Sequence, residues 1–408
     1  MNSIVCALLL LLFIGACSES SSGDKAPVSP EDMPCQDCLL LNPGMSAGVR
    51  DQTASYIYLL GVDGRFESSS IYEWDITNEE LRAVIEGEAG DAIISAHGSN
   101  LILFNRDAQN FNLRTIGFGE QGFVLGEQTG IDGLSAYDPK EALSLSDSKL
   151  FLAMHTAGKF GLLDIEQKAI KYIEADYRHP GALLKPTSII RSKIGDRELL
   201  FVSHQSYDFG GGGISVVGGG RVFVFSFDGK TIVPVDVDSK VDGIQGIELE
   251  GNTPELSLRD DGRIVALSLC SELTVNLEQC QSRVELIDPE LLSSEILWDM
   301  NELDLRMNGP SVYADSESLF VAAKLGDEKA IYRLNYMDKT LDPIYVFSAT
   351  SGGFYGLFHI SSIGVLWVTD NQVSGEGEVI RFDTTTFAEI SRILMPHIPI
   401  GKSVIRVK

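Results

Sequence analysis

From Tyr56 onward, short runs rich in Val, Ile, Leu, Phe and Tyr alternate with clusters of Gly, Asp, Asn and Ser, and no long amphipathic helical stripe interrupts them. Such a pattern predicts many short β-strands joined by turns. The runs also repeat. One unit reads Pro139–Met154, then Lys159–Asp164, then Ala169–Ile173. That is a strand, a polar turn, a second strand, a variable loop, a third strand ending at Asp, and a fourth. Units of the same grammar open at Asp91, Pro186, Pro254, Pro310 and Gly353. A further unit is split: Ser55–Leu60, Ile71–Ile76 and Leu81–Ile85 lack an opening strand, and Ser403–Val407 at the far end of the chain read as the missing one. Placing first and last strands in one sheet closes a ring and leaves no sheet edge at the seam. The pattern therefore predicts an all-β fold, a seven-bladed β-propeller of four-stranded antiparallel blades. It occupies residues 51–408 as one domain, closed by the C-terminal strand joining the first blade.

The N-terminal stretch obeys different rules. Ile4–Ile14 is an almost unbroken apolar run, too short to span a bilayer, which takes about 20 residues. It fits the apolar core of a secretion signal. Ile14-Gly15-Ala16-Cys17 resembles the bacterial lipobox, although Met1-Asn2-Ser3 carries no Lys or Arg. The resemblance implies a signal peptide at 1–16, lipidation of Cys17 and a flexible linker over 17–50 that begins Ser18-Glu19-Ser20-Ser21-Ser22-Gly23. A plain signal cut near Ala16 is the alternative. Ser18 after the cysteine resembles the pattern that permits sorting to the outer membrane. The expected location is the cell envelope, lipid-anchored and facing periplasm or cell surface. Within the linker, Leu39-Leu40-Leu41 is apolar enough to pack on a blade.

Charge narrows the partners. Among 408 residues, 58 are acidic and 32 basic, for a net charge of −26. Nucleic-acid affinity depends on neutralising phosphates with Lys and Arg, so nucleic acid is excluded. The expected partners are the bilayer, through the acyl anchor, and an envelope protein or glycan; the propeller itself is expected to be monomeric. After processing, Cys35, Cys38, Cys270 and Cys280 remain. An even count in an oxidising compartment points to disulfides. Cys270 and Cys280 would close a small excursion, and Cys35-Gln36-Asp37-Cys38 a local bridge, since no second CxxC and no βαβ pattern accompany it.

Gly90-Asp91-Ala92, Phe104-Asn105-Arg106, Ser146-Asp147-Ser148-Lys149-Leu150 and Gly158–Asp164 resemble the secreted YVTN-type (YncE-like) seven-bladed propellers of the bacterial envelope. The resemblance spans roughly Ser55 to Val407. Its motifs are strand grammar and carry no catalytic signature, so what it implies is a fold.

In a propeller the second strand of each blade ends on the face where the first begins, at the mouth of the central channel. Here those ends place Asn105, Arg106, Asp107, His155, His204, Gln205, Lys324, Asp370 and Asn371 as a candidate ring of ligand-binding residues, with Cys270-Ser271-Glu272 at the matching point of one blade. Strands also end in polar turns for purely structural reasons. No His pair has HxH or HxxxH spacing, but His155 and His204 with Asp107 or Asp370 could bind one divalent cation. No other cofactor is expected. The glycine-rich stretch Asp208–Arg221 lacks the Lys-Ser/Thr of a phosphate loop and reads as a hairpin excursion. Asp236–Ile247 lacks the ligand spacing of an EF-hand, and no GxSxG nucleophile turn occurs. No catalytic residue is assigned. The expected function is a membrane-tethered binding module; the alternative is a metal-assisted propeller hydrolase or lyase of lactonase type. A quinone-dependent propeller would need recurrent Trp motifs, and the chain has three Trp.

Overall fold

The computed structural model describes residues 39–42, 54–63, 67–89, 92–105, 112–119, 122–131, 139–155, 157–173, 185–210, 213–237, 246–348, 351–360, 363–372 and 377–407. Cys17, Cys35, Cys38, Arg106 and Asp107 lie outside them. Seven antiparallel sheets form the blades of a β-propeller. Blade one holds Ala54–Val62, Ser68–Asp75 and Glu80–Ala89, with Ile398–Val407 as its inner strand. Blades two to seven follow in chain order, their inner strands being Ala92–His97, Pro139–Ser146, Pro186–Ile194, Pro254–Leu258, Leu305–Asp315 and Ser351–Ile360.

Ring closure is visible in the packing as well as in the pairing. Seven apolar clusters fill the seven spaces between neighbouring blades. Ile57, Leu59, Tyr72 and Trp74 of blade one, for example, pack on Phe358, Val365, Trp367 and Val379 of blade seven. Alternate strand residues face opposite sides of a sheet. A blade held between two neighbours therefore needs apolar residues on both faces, which explains near-continuous runs such as Leu150–Met154, all fully buried.

The Asp that ends many third strands has a local reason. Asp75, Asp288 and Asp383 each accept two backbone N–H bonds at Oδ1 from residues two and three further on, and Asn335 does the same. The carboxylate or amide thus closes the turn into the outermost strand. The residue four on then takes a left-handed conformation: Glu79, Leu292, Lys339 and Phe387, with φ of 52–59°.

Three departures from the sequence reading have physical causes. Blade six begins at Leu305, ahead of Pro310, because Pro310 sits where the pairing slips between Met307 and Ser311; a residue without an N–H is tolerated at such a bulge. The closing strand starts at Ile398 and pairs with Val62 before Val404 reaches Tyr58. Blade one is five-stranded, since Leu39–Leu41 pairs with the channel-side edge of the closing strand, Leu39 opposite Val407 and Leu41 opposite Ile405.

This short strand enters from the face that carries the tight hairpins between inner and second strands, here the turn face. Leu40 N–H donates to the Gly98 carbonyl at 3.1 Å, and the Leu40 side chain is buried between blades one and two. Asn42 then ties three segments together: its Oδ1 accepts from Ala96 N–H (2.9 Å), and its Nδ2 donates to Ser95 Oγ (3.0 Å) and the Ala142 carbonyl (3.4 Å). The N-terminal segment thereby spans the inner strands of blades one, two and three.

Candidate functional site

The opposite, loop face carries the starts of the inner strands and the ends of the second strands. Among the described residues, two excursions rise from it. Blade four sends out the hairpin Tyr207–Gly210 and Gly213–Val216, and blade five the loop between Cys270 and Cys280, which form a disulfide with Cα atoms 5.9 Å apart.

Of the sequence candidates, His204 ends the second strand of blade four and is fully buried. Its Nδ1 accepts the Lys185 backbone N–H at 2.8 Å, and its ring lies 6.2 Å from that of Phe223. Gln205 N–H donates back to the Lys185 carbonyl at 3.1 Å. His155, at the end of blade three's second strand, shares a hydrogen bond of 3.0 Å between its Nε2 and the Tyr207 hydroxyl. The two imidazoles therefore each have a protein partner, and among the described residues no three His, Cys, Asp or Glu side chains come together to hold a metal ion.

Lys324 stands elsewhere. Its ammonium is 3.5 Å from Glu272 of the disulfide loop and 4.0 Å from Asp327. With Asp304, Arg306 and Gly326 these residues line an open cavity of about 360 Å³ beside blades five and six. Asn105, Asp370 and Asn371 are buried at the loop-face ends of blades two and seven.

The residues that do converge were missed in the sequence, except His155. Burial first, and then the nearby Glu255 carboxylate, push the Tyr207 phenol up to about 12. At neutral pH Tyr207 keeps its proton and can donate it to an unprotonated His155 Nε2. Glu255, at the start of blade five's inner strand, accepts Ser311 N–H (2.9 Å) and Ser311 Oγ–H (3.2 Å) from blade six. Burial raises its pKa; these hydrogen bonds and the charge of Lys140 in blade three oppose the rise without cancelling it. Lys140, His155, Tyr207 and Glu255 thus form one electrostatically connected arc over blades three, four and five. It offers ammonium and phenol donors beside a carboxyl group whose proton is held more tightly than usual. The available signal was position. Lys140 and Glu255 each follow a proline that opens an inner strand, at the end of the strand where the channel mouth lies.

No protein-family model matches the chain, and no curated protein does. Solved structures match its fold. A candidate 6-phosphogluconolactonase of Bacteroides fragilis shares 13% identity over 87% of this chain and 98% of its own, with a TM-score of 0.56. The periplasmic gluconolactonase of Pseudomonas aeruginosa shares 13% over 86% and 100%, TM-score 0.55. A candidate 6-phosphogluconolactonase of Bacteroides uniformis gives the same identity, coverage and TM-score as the latter. At such identity the likeness establishes the seven-bladed propeller and nothing of the chemistry.

Proposed function

We propose that the chain is a lipid-tethered envelope propeller that binds a polar ligand at the loop-face mouth. The observation that carries this reading is the Lys140–His155–Tyr207–Glu255 arc. Its groups come from three blades and are far apart in sequence; all stand on the loop face, opposite the inserted N-terminal strand, where His155 is hydrogen-bonded to Tyr207 and the charges of Glu255 and Lys140 act on their neighbours. Donors of both charge states beside an acceptor suit a hydroxyl-rich or peptide-like ligand. The strand wording of the blades supports placing the chain with the YVTN-type propellers. The lipobox at Ile14–Cys17 supports anchoring at Cys17. Because the described chain begins on the turn face, a tether running from Cys17 to Leu39 would leave the loop face pointing away from the bilayer.

The test is native mass spectrometry of residues 17–408 carrying Cys17→Ser, purified from the periplasm without chelator. The expected result is a retained small-molecule mass that disappears in Tyr207→Phe and in Glu255→Gln. A bare polypeptide mass, together with no binding of a glycan and peptide panel that either substitution alters, would sink the reading.

A second reading is lactone hydrolysis, favoured by the lactonase names of the fold neighbours. A raised carboxyl such as Glu255 is suited to moving a proton to or from water. Glucono-lactone turnover that Glu255→Gln abolishes would move this reading ahead; no turnover with or without added divalent cation would remove it.

A further inference from the structure

The loop closed by Cys270 and Cys280 is built inside out. Two of its polar side chains face the protein: Thr274 is buried, and Asn276 clasps the neighbouring hairpin, its Oδ1 accepting Val216 N–H and its Nδ2 donating to the Val216 carbonyl, both at 2.9 Å. Its apolar side chains face solvent. Leu273 is 63% and Val275 59% exposed, on either side of the buried Thr274 where the loop bridges to Ile214, and Leu277, 44% exposed, opens the single 3₁₀ turn Leu277–Gln279 that follows.

The loop is also held firmly. Ile214 N–H donates to the Leu273 carbonyl (2.8 Å), and Val275 N–H to the Ile214 carbonyl (2.9 Å). Met307 N–H of blade six donates to the Cys270 carbonyl at 2.8 Å. The approach to the hairpin is so close that a Cβ on Gly213 would stand 2.4 Å from Val275 Cγ1 and 2.6 Å from the Leu273 carbonyl oxygen. The disulfide itself packs on Val216. A fixed row of exposed aliphatic side chains loses little conformational freedom when covered, which is how interface cores differ from ordinary surface.

The surroundings select what can cover it. Glu272 and Glu278 stand exposed within the loop, which contains no Lys or Arg; in the adjoining cavity Lys324 pairs with Glu272 and Arg306 with Asp304, and with Asp327 the carboxylates outnumber the cations. A second copy would bring the same carboxylates against these, and an anionic bilayer would be repelled in the same way. We infer that Leu273, Val275 and Leu277 form a docking surface for a polypeptide whose contact segment carries apolar side chains flanked by Lys or Arg. The inference rests on reading the chain as an interaction module and names one partner class for it, at a surface separate from the Tyr207–Glu255 arc.

The probes are two synthetic peptides of alternating charged and Leu residues with one Trp, the first charged with Lys and the second with Glu. Their binding to residues 17–408 with Cys17→Ser is read by fluorescence anisotropy. The Lys peptide should bind at least tenfold more tightly than the Glu peptide. It should lose about tenfold in affinity to a Leu273→Ser/Val275→Ser/Leu277→Ser protein, and weaken severalfold in 0.5 M salt without vanishing. Equal binding to the parent and the triple variant would mean unspecific attraction to an acidic protein, and would overturn the inference. Equal binding of the two peptides would overturn the charge selection. Row-dependent binding to phosphatidylcholine vesicles, or a row-dependent dimer in sedimentation, would overturn it in favour of lipid or of a second copy. Should the triple variant lose its disulfide or its melting transition, Glu272→Lys/Glu278→Lys retains the row and should shift preference toward the Glu peptide; an unshifted preference overturns the inference equally. Loss of ligand at the mouth in a protein that still discriminates the two peptides would count against the reading of the mouth alone.

Discussion

The Arg381 guanidinium of blade seven lies over the Trp74 ring of blade one, 5.5 Å from its centroid, and 5.0 Å from that of Trp367 in its own blade. Its Nη1 also reaches Glu79 Oε1 at 2.7 Å, across the same seam. The seam joins the beginning of the domain to its end, so these contacts help hold the ring shut. Arg381→Ala should cost about 2 kcal/mol, since a desolvated cation–π contact and an ion pair buried only on its arginine side are lost together. Arg381→Lys should fall between, because an ammonium keeps the charge but not the planar stack. Urea unfolding monitored by Trp fluorescence reads both, and a parent-like midpoint for Arg381→Ala would contradict the role.

Deleting Ser403–Lys408 removes the pairing of Val404 with Tyr58, of Ile405 with Ile57 and of Arg406 with Tyr56. It also removes the strand on which Leu39–Leu41 rests. With two sheet edges opened at once, the melting temperature should drop sharply and the transition should lose cooperativity. An unchanged melt would falsify closure by this strand.

Opposite pKa shifts give the stability a two-sided dependence on pH. Glu255 and Glu285 are raised, each mainly by burial, so the folded state holds their protons more tightly than the unfolded chain does. Their contribution is fully present below about pH 4.3, the unfolded value, and is lost as pH rises through the folded values. His97 is lowered, mainly by burial. Protons favour its unfolded state, so stability falls as pH drops through about 6.5. Asp228 is lowered to about 2 by backbone N–H bonds from Thr231 and Lys230, and its contribution disappears as pH falls from about 4 toward that value. Denaturant midpoints measured from pH 3 to 9 should show that Glu255→Gln removes part of the decline above pH 4.3 and leaves the His97 limb intact. A parallel curve for this variant would contradict the assignment.

Replacing Cys270 and Cys280 by Ser opens a loop with ends ten residues apart in sequence. Loop-closure entropy for that length is about 2–3 kcal/mol. The effect should be local. Amide exchange should accelerate over Ser271–Gln279 and Gly213–Val216, whereas the strands of blade one should exchange as before. Uniform acceleration across the ring would show that the bridge supports the whole propeller.

Much of the fold was legible because each blade is a local unit. Lys149–Asp164 pairs with its own neighbours in sequence, and the Asp-closed turn into the last strand is decided within five residues. His155 was legible for the same reason, standing at a strand end that the repeat defines. Lys140, Tyr207 and Glu255 were not. Each looks like an ordinary strand or loop residue until the ring brings blades three, four and five side by side.

Seven blades, a split first blade and its completion from the C-terminus could all be read from the amino-acid sequence, because strand period, turn chemistry and repeat length are local properties of the chain. Tertiary structure alone decided that Leu40 is buried against blade two, that Glu255 raises the Tyr207 pKa, that Arg381 bridges two indoles, and that Leu273, Val275 and Leu277 face outward. These relationships join residues from different blades, or depend on which side of an excursion meets its neighbour. Their distances and burial exist only once the ring has closed.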